Sequence, residues 1–382
     1  MISKFDTIRP YDDIDLPVII NKLINNNELV DGLVDFRFSA LPSFLRPFLR
    51  YLLRHYIRWR TRKISCVGDF QALIEPYMQR MIDRTTTDFS LSGFEQLDLT
   101  QSYLFISNHR DIALDPGFVN WALHINGQDT VRIAVGDNLL DKDWLADLIR
   151  LNKCFIVRRS AKDKRQKLAD AKLLSEYIQH SLHAEKQHIW LAQREGRAKD
   201  GNDVTNPAIL SMLALNKPKG VEFSAYIKTL RIVPVSLSYE FDPCDISKAE
   251  ELHETQIKGA YDKADHEDLK SLVAGILGDK GRVHVHFGKV LEEDFVNARQ
   301  AADYLNKQII AGYQCFATAT AAADMLGLDN LDTSTDFDKQ SMLLARQYLR
   351  ERTANLAPEI KNRLLNMYAM PLINQHSGGD FS

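Results

Sequence analysis

Six short apolar runs recur between residues 103 and 287, separated by amphipathic stretches. They are Tyr103-Leu104-Phe105-Ile106, Val131-Arg132-Ile133-Ala134-Val135, Cys154-Phe155-Ile156-Val157, Ile189-Trp190-Leu191-Ala192, Ile232-Val233-Pro234-Val235 and Val283-His284-Val285-His286-Phe287. Apolar runs alternating with helix-period segments build strand-helix-strand units, so the pattern predicts an α/β fold with a largely parallel sheet covered by helices. Residues from about 14 to 95 read as helical instead, with apolar residues three and four apart through Ile19, Ile20, Leu23 and Ile24, and again over 44–57. After about 300 the helical pattern returns, with Asp332-Thr333-Ser334 as a start signal ahead of a face of Met342, Leu343, Tyr348 and Leu349. The tail Gly378-Gly379-Asp380 reads as unstructured. The expected organisation is therefore an N-terminal helical region over 1–95, an α/β domain over 96–300 and a C-terminal helical region over 301–382. A chain of 382 residues is long enough to bury a core of that size.

A formal net charge of -3 argues against a surface built for nucleic acid, so any anionic partner must be met by a local basic patch. Cys66, Cys154, Cys244 and Cys315 fit no zinc spacing, and three of them lie beside apolar residues, which reads as buried thiols in a reducing cytoplasm. The segment Met1-Ile2-Ser3-Lys4-Phe5-Asp6 carries charge where a signal peptide needs its apolar stretch, so export is not expected. The longest uncharged stretch, 308–323, falls short of the roughly 20 mostly apolar residues of a spanning helix. Any contact with membrane is expected to be peripheral, on the inner face.

In open α/β sheets the functional loops lie beyond the carboxyl ends of the strands. The first run leads into Ser107-Asn108-His109-Arg110-Asp111-Ile112-Ala113-Leu114-Asp115-Pro116. Asp followed by Pro makes an N-cap and first-turn pair, so a helix is expected to start at Asp115 with His109 in the loop before it. A loop histidine beside two carboxylates can be oriented and made more basic by one of them, as a general base requires. The plainer reading is a loop histidine satisfied by a neighbouring acid. Two further runs end in cations: Arg158-Arg159-Ser160 after the third, and Gln193-Arg194-Glu195-Gly196-Arg197-Ala198-Lys199-Asp200-Gly201 after the fourth. Arginine next to glycine suits bidentate capture of phosphate or carboxylate, because glycine lets the backbone approach the anion. Each cluster alone reads more often as solvated surface; converging with the histidine loop, they make a phosphate site. His284 and His286 share one strand face but lack a third ligand, so no metal is expected.

The order of these blocks resembles the glycerol-3-phosphate and lysophosphatidic acid acyltransferase superfamily across roughly residues 90–290. The block Asn-His, four residues, Asp is matched by Asn108-His109 and, one residue late, by Asp115. An apolar strand ending in Arg is matched at Cys154-Phe155-Ile156-Val157-Arg158-Arg159-Ser160, and an apolar strand followed by Glu-Gly and Arg at Ile189 onward through Glu195-Gly196-Arg197. The block around Val-Pro-Val is matched by Arg231-Ile232-Val233-Pro234-Val235-Ser236. Two departures stand out. Five residues separate His109 from Asp115, and the third block lacks the Thr or second Gly that often follows Glu-Gly. Either the loop bulges by one residue and Asp115 still pairs with His109, or Asp111 has taken its place; the first is favoured because Asp115 precedes a helix start.

The resemblance implies an O-acyltransferase of phospholipid synthesis. It would move a fatty acyl group from acyl-CoA or acyl carrier protein to a hydroxyl of glycerol 3-phosphate or 1-acyl-glycerol 3-phosphate. His109 would take the hydroxyl proton and Asp115 would hold the imidazole in the useful tautomer. By the same resemblance Arg158 and Arg197 are acceptor-phosphate ligands, with Arg159 and Lys199 sharing the task, and Glu195, beside Gly196, positions the acceptor hydroxyls. No cofactor or metal is implied beyond the thioester co-substrate, and without a Gly-X-Ser-X-Gly elbow no acyl-enzyme is suggested. The tripeptide His109-Arg110-Asp111 also opens a protein kinase catalytic loop, but Pro116 stands where that loop needs Asn and no Asp-Phe-Gly follows. An acyl-thioester or lipid-binding protein with a non-functional dyad is the alternative that the shifted spacing leaves open.

Arg46, Arg50, Arg54 and Arg58 recur every fourth residue, followed by Arg60 and Arg62, while Phe44, Phe48, Tyr51, Leu52 and Trp59 fall on the other side of the same helix. That pattern suits an interfacial helix with aromatics at the acyl boundary and arginines on the phosphates of an anionic membrane surface. It suits equally a helix packed on the core with a solvated basic face.

Overall fold

Strands buried on both faces cannot alternate polar and apolar residues, and the runs named above behave accordingly: all four residues of Leu104–Ser107 are buried, as are seven of the eight in Ile232–Tyr239. The computed structural model describes residues 4–38, 41–140, 142–264, 267–328, 331 and 337–378. The start signal Asp332-Thr333-Ser334, the tail residues Gly379 and Asp380, and Met1-Ile2-Ser3 lie outside the described residues. Seven strands are formed: β1 Asp88–Ser92, β2 Leu104–Ser107, β3 Arg132–Gly136, β4 Cys154–Val157, β5 Ile189–Ala192, β6 Ile232–Tyr239 and β7 Arg282–Phe287. The chain divides into two compact units, one of Met1–Gln79 with Arg132–Tyr177 and one of Arg80–Val131 with Ile178–Ser382.

In the second unit the strands neighbour one another in the order β1-β7-β6-β2-β5. β2 runs parallel to both β5 and β6, and β1 runs parallel to β7. β6 and β7 pair antiparallel, so β1 and β7 run opposite to the other three. The largely parallel α/β sheet expected from the sequence is present, and its three like-directed strands bring the loops after β2 and β5 and the end of β6 to one edge. C-terminal helices Ala298–Ala311, Ala317–Met325, Lys339–Thr353 and Pro358–His376 complete this unit. Helix Ala317–Met325 buries five alanines against Leu349, Leu364, Leu365 and Tyr368, small side chains letting backbones approach closely. The uncharged stretch 308–323 is thus split between two helices, and no helix among the described residues is long and apolar enough to cross a membrane.

In the first unit β3 and β4 pair in parallel with Ile133 opposite Cys154. Helices Leu16–Asn25, Asn27–Phe38, Arg46–Thr61 and Val67–Thr85 fill most of the N-terminal stretch expected to be helical. That expectation fails at β1. Its five residues alternate Asp88, Ser90 and Ser92 with Phe89 and Leu91, and its pairing partner is β7, nearly 200 residues away. A strand so short and half polar is specified by that distant partner and not by its own composition.

The basic stretch is helical, as expected. The arginine stripe of helix Arg46–Thr61 turns inward: Arg46 pairs with Asp35 at 3.2 Å, Arg50 with Asp31, Arg54 donates to Asn27 Oδ1 at 2.6 Å, and Arg58 to Asn25 Oδ1 at 2.8 Å. The helix buries none of its own residues, and Phe44, Phe48, Tyr51, Leu52, Tyr56 and Trp59 are all exposed. These arginines fasten this helix to the two before it.

Candidate active site

β2 delivers its last residue, Ser107, into a fixed corner: Trp190 Nε1 donates to Ser107 Oγ at 3.0 Å, and that hydroxyl donates to the Asn108 carbonyl at 2.7 Å. Asn108 is fully buried, and its amide makes a two-way clamp on β6, donating to Leu237 O at 2.9 Å and accepting from Leu237 N at 2.8 Å. The carbonyl of His109 then accepts from Ala198 N at 2.9 Å. The loop after β2 is therefore tied to β6 on one side and to the loop after β5 on the other.

The helix after this loop begins at Leu114, not at Asp115, which corrects the expected cap. Asp111 turns the chain into the helix, its Oδ1 accepting from Ala113 N at 3.0 Å and Leu114 N at 2.8 Å. Asp115, in the first turn, reaches back over the loop. Its Oδ2 accepts from His109 Nδ1 at 2.8 Å, Arg110 N at 2.6 Å and Asp111 N at 2.9 Å, and its Oδ1 accepts from Tyr239 Oη at 2.7 Å. The extra residue between His109 and Asp115 is absorbed by the Asp111 turn. Asp115 has no solvent exposure, whereas 15% of the His109 side chain remains exposed beside the edge of the Trp190 ring, 5.7 Å between centroids. A carboxylate only accepts, so the network assigns the proton of a neutral His109 to Nδ1 and leaves Nε2 as a base.

Asp111 is held differently. Burial first, then the neighbouring Asp115, pushes its pKa up, and its carboxylate fills the space where a Cβ at Gly275 would sit. Beneath the loop lies a buried ionic cluster with no spacing signal in the sequence. Lys248 Nζ donates to the Arg110 carbonyl at 2.7 Å and pairs with Asp242, whose other cationic neighbour is Arg110 at 3.8 Å. Burial works against Asp242 ionisation, yet Lys248 and Arg110 outweigh it and hold its carboxyl below the usual range. Asp203, bonded by Tyr313 Oη at 3.1 Å, has the opposite balance: burial lifts it to about 6 in spite of Arg110.

Of the cations, Arg197 and Lys199 follow β5 in the same unit as His109. Gly196 takes a φ of +72° with open space around it, a conformation that favours glycine. Glu195 and Gly196 are exposed, and Arg197 is half-buried with no hydrogen-bond or ion-pair partner among the described residues. Lys199 pairs with Glu251, while burial, then Arg197 and Lys263, pull its ammonium down to about 8. Arg158 and Arg159 belong to the other compact unit, where Arg158 pairs with Asp170 at 3.3 Å and the Arg159 and Ser160 backbone amides donate to Asp137.

Elsewhere, His284 and His286 share a face as expected and form a ladder with two serines. Ser90 Oγ lies 2.8 Å from His284 Nδ1, and Ser92 Oγ lies 2.8 Å from both His284 Nε2 and His286 Nδ1. No group of three or more metal-ligating side chains occurs among the described residues. All four cysteines are free, and burial pushes the thiols of Cys154, Cys244 and Cys315 up to about 12, 11 and 12.

With this geometry in view, the chain can be compared with known proteins. The family model described as Acyltransferase matches residues 88–238. Among solved structures the chain is similar to the 1-acyl-sn-glycerophosphate (LPA) acyltransferase PlsC from Thermotoga maritima, at 11% identity over 78% of this chain and 93% of that one. The TM-score of that likeness is 0.34, too low to carry any argument. No curated protein matches. The matched segment runs from the first residue of β1 to the penultimate residue of β6 and contains all four sequence blocks, so it is residues 88–238 of this chain that are similar to the Acyltransferase family.

Proposed function

We propose that this chain moves a fatty acyl group from an acyl thioester, carried by CoA or acyl carrier protein, to a hydroxyl of glycerol 3-phosphate or its 1-acyl derivative in phospholipid synthesis. The observation that carries the reading is the His109 Nδ1 to Asp115 Oδ2 contact of 2.8 Å inside an acyltransferase-family segment. His109 Nε2 takes the acceptor proton as the hydroxyl oxygen bonds to the thioester carbonyl carbon. The tetrahedral intermediate collapses by breaking the carbon-sulfur bond, and the imidazolium returns the proton to the departing thiolate. Asp115 keeps the tautomer and supports the cationic ring without itself taking the proton. Backbone donors after Glu195 serve the oxyanion, where Gly196 leaves the chain uncovered.

Arg197 and Lys199 bind the acceptor phosphate in this reading, and Glu195 its free hydroxyls. The exposed aromatic face of helix Arg46–Thr61, with Arg60, Arg62 and Lys63 exposed beside it, meets the inner membrane surface where acceptor and product reside. The test is a direct assay of the purified protein with both acceptors and both donors. At least one combination is expected to release free thiol and form ester in equal amounts. Thioester binding without turnover in any combination would favour the lipid-binding alternative and overturn this one.

A further inference from the structure

Tyr239 ends β6 one residue beyond the segment that matches the family model, and nothing in the four sequence blocks singles it out. Its hydroxyl is nonetheless the only hydrogen-bond donor to Asp115 Oδ1 among the described residues, at 2.7 Å, while the three donors from the loop all crowd onto Oδ2. A buried carboxylate held through one oxygen alone can swing about its Cβ–Cγ bond, and its other oxygen would lack a partner. The hydroxyl supplies that partner from a different element, the strand. Burial, then the charges of Asp115 and Asp111, keeps the phenol protonated, so it acts as a standing donor.

The frame that holds Tyr239 is also the frame that holds the loop. Leu237, clamped by Asn108, lies two residues earlier on the same strand and hence on the same face. The Tyr239 ring meets Phe118 edge-on, 5.8 Å between centroids, and Phe118 sits one turn along the helix that carries Asp115. Strand, loop and helix therefore fix the hydroxyl and the carboxylate against each other. We propose that Tyr239 is a positioning residue of the acyl transfer, locking the Asp115 carboxylate from the side opposite His109 so that the imidazole is held in a single orientation.

This inference rests on the reading of His109 as the base, and the two are separable by experiment. The charged and titratable groups that also feel Asp115 are Asp111 on the loop, Asp203 after β5 and Tyr313 beyond the helix Ala298–Ala311, with Arg110 between them. Tyr239→Phe leaves all of these in place. Without the hydroxyl, Asp115 is freer to turn, and the imidazole loses its single orientation. The rate constant kcat is expected to fall about tenfold, the scale of one hydrogen bond to a charged group, with KM for donor and acceptor unchanged. On an Asp115→Asn background the same change should cost less than about twofold, because the two residues act as a unit.

If Tyr239→Phe does not fold, as checked by thermal unfolding, a ring-fluorinated tyrosine at 239 keeps the shape and strengthens the donor, and its kcat should change with both KM values held, an effect lost on the Asp115→Asn background. Activity within twofold of the parent, or equal losses on both backgrounds, overturns the role of Tyr239 while leaving the dyad intact. Full activity in His109→Ala instead overturns the reading on which the inference rests.

Discussion

Asp111, in the loop after β2, and Asp115, in the first turn of the helix that follows, do different work. Asp115 gathers His109 and two backbone amides on one oxygen, whereas Asp111 bonds the amides of Ala113 and Leu114 and faces Gly275. Asp115→Asn should therefore reduce the chemical step far more than Asp111→Asn, whose loss should appear mainly in thermal stability. A larger fall in kcat for the Asp111 variant would reverse the pairing. At the neighbouring cation, Arg197→Ala is expected to raise KM for the phosphorylated acceptor about tenfold to a hundredfold, the range of a charge-assisted hydrogen bond, with only partial rescue by Arg197→Lys. A rise confined to the thioester KM would assign Arg197 to the donor phosphates. His109 and Asp115 were legible in the sequence because their chemistry is local, within one strand-to-helix loop. Tyr239, Arg110, Asp242 and Lys248 were not, since what gives them meaning is a contact with residues about 130 positions away or a buried charge balance.

Helices and strands were legible to the extent that their own residues decide them. β2, β4, β5 and β6 are apolar throughout or nearly so and were recognisable as buried strands, while β1 needed β7 to make it one. The helix Arg46–Thr61 shows the same limit: its four-residue arginine period was plain, but which side faced inward depended on Asp31, Asp35, Asn25 and Asn27 on the preceding helices. The orientation changes what membrane binding should look like. Phe48→Ser with Trp59→Ser is expected to weaken sedimentation with anionic vesicles severalfold, because those rings carry the exposed apolar area. Arg50→Gln with Arg54→Gln should act first on the thermal stability of the N-terminal helices. Vesicle binding that ignores the aromatic pair but vanishes with the arginines would restore the lipid-phosphate role for the stripe.

For the molecule as a whole, the direction of β2, β5 and β6 is what assembles the site, since three like-directed strands bring His109, Arg197 and Tyr239 to one edge. The same packing leaves a signature in stability. Asp203 is held at about 6 against an ordinary 3.8, so between those values the folded state binds more protons than the unfolded one. Its contribution to stability is greatest at low pH and is lost as pH rises through that window. Asp203→Asn should flatten the unfolding temperature across that range, and an unchanged slope would show that Arg110 already neutralises the carboxylate there. The central claim, that His109 is the base of an acyl transfer, is tested most directly by steady-state turnover of a folded His109→Ala variant with a thioester donor and a glycerol-phosphate acceptor. A loss on the order of a hundredfold or more, with the unfolding temperature kept, is the result predicted here; turnover close to that of the parent would contradict it.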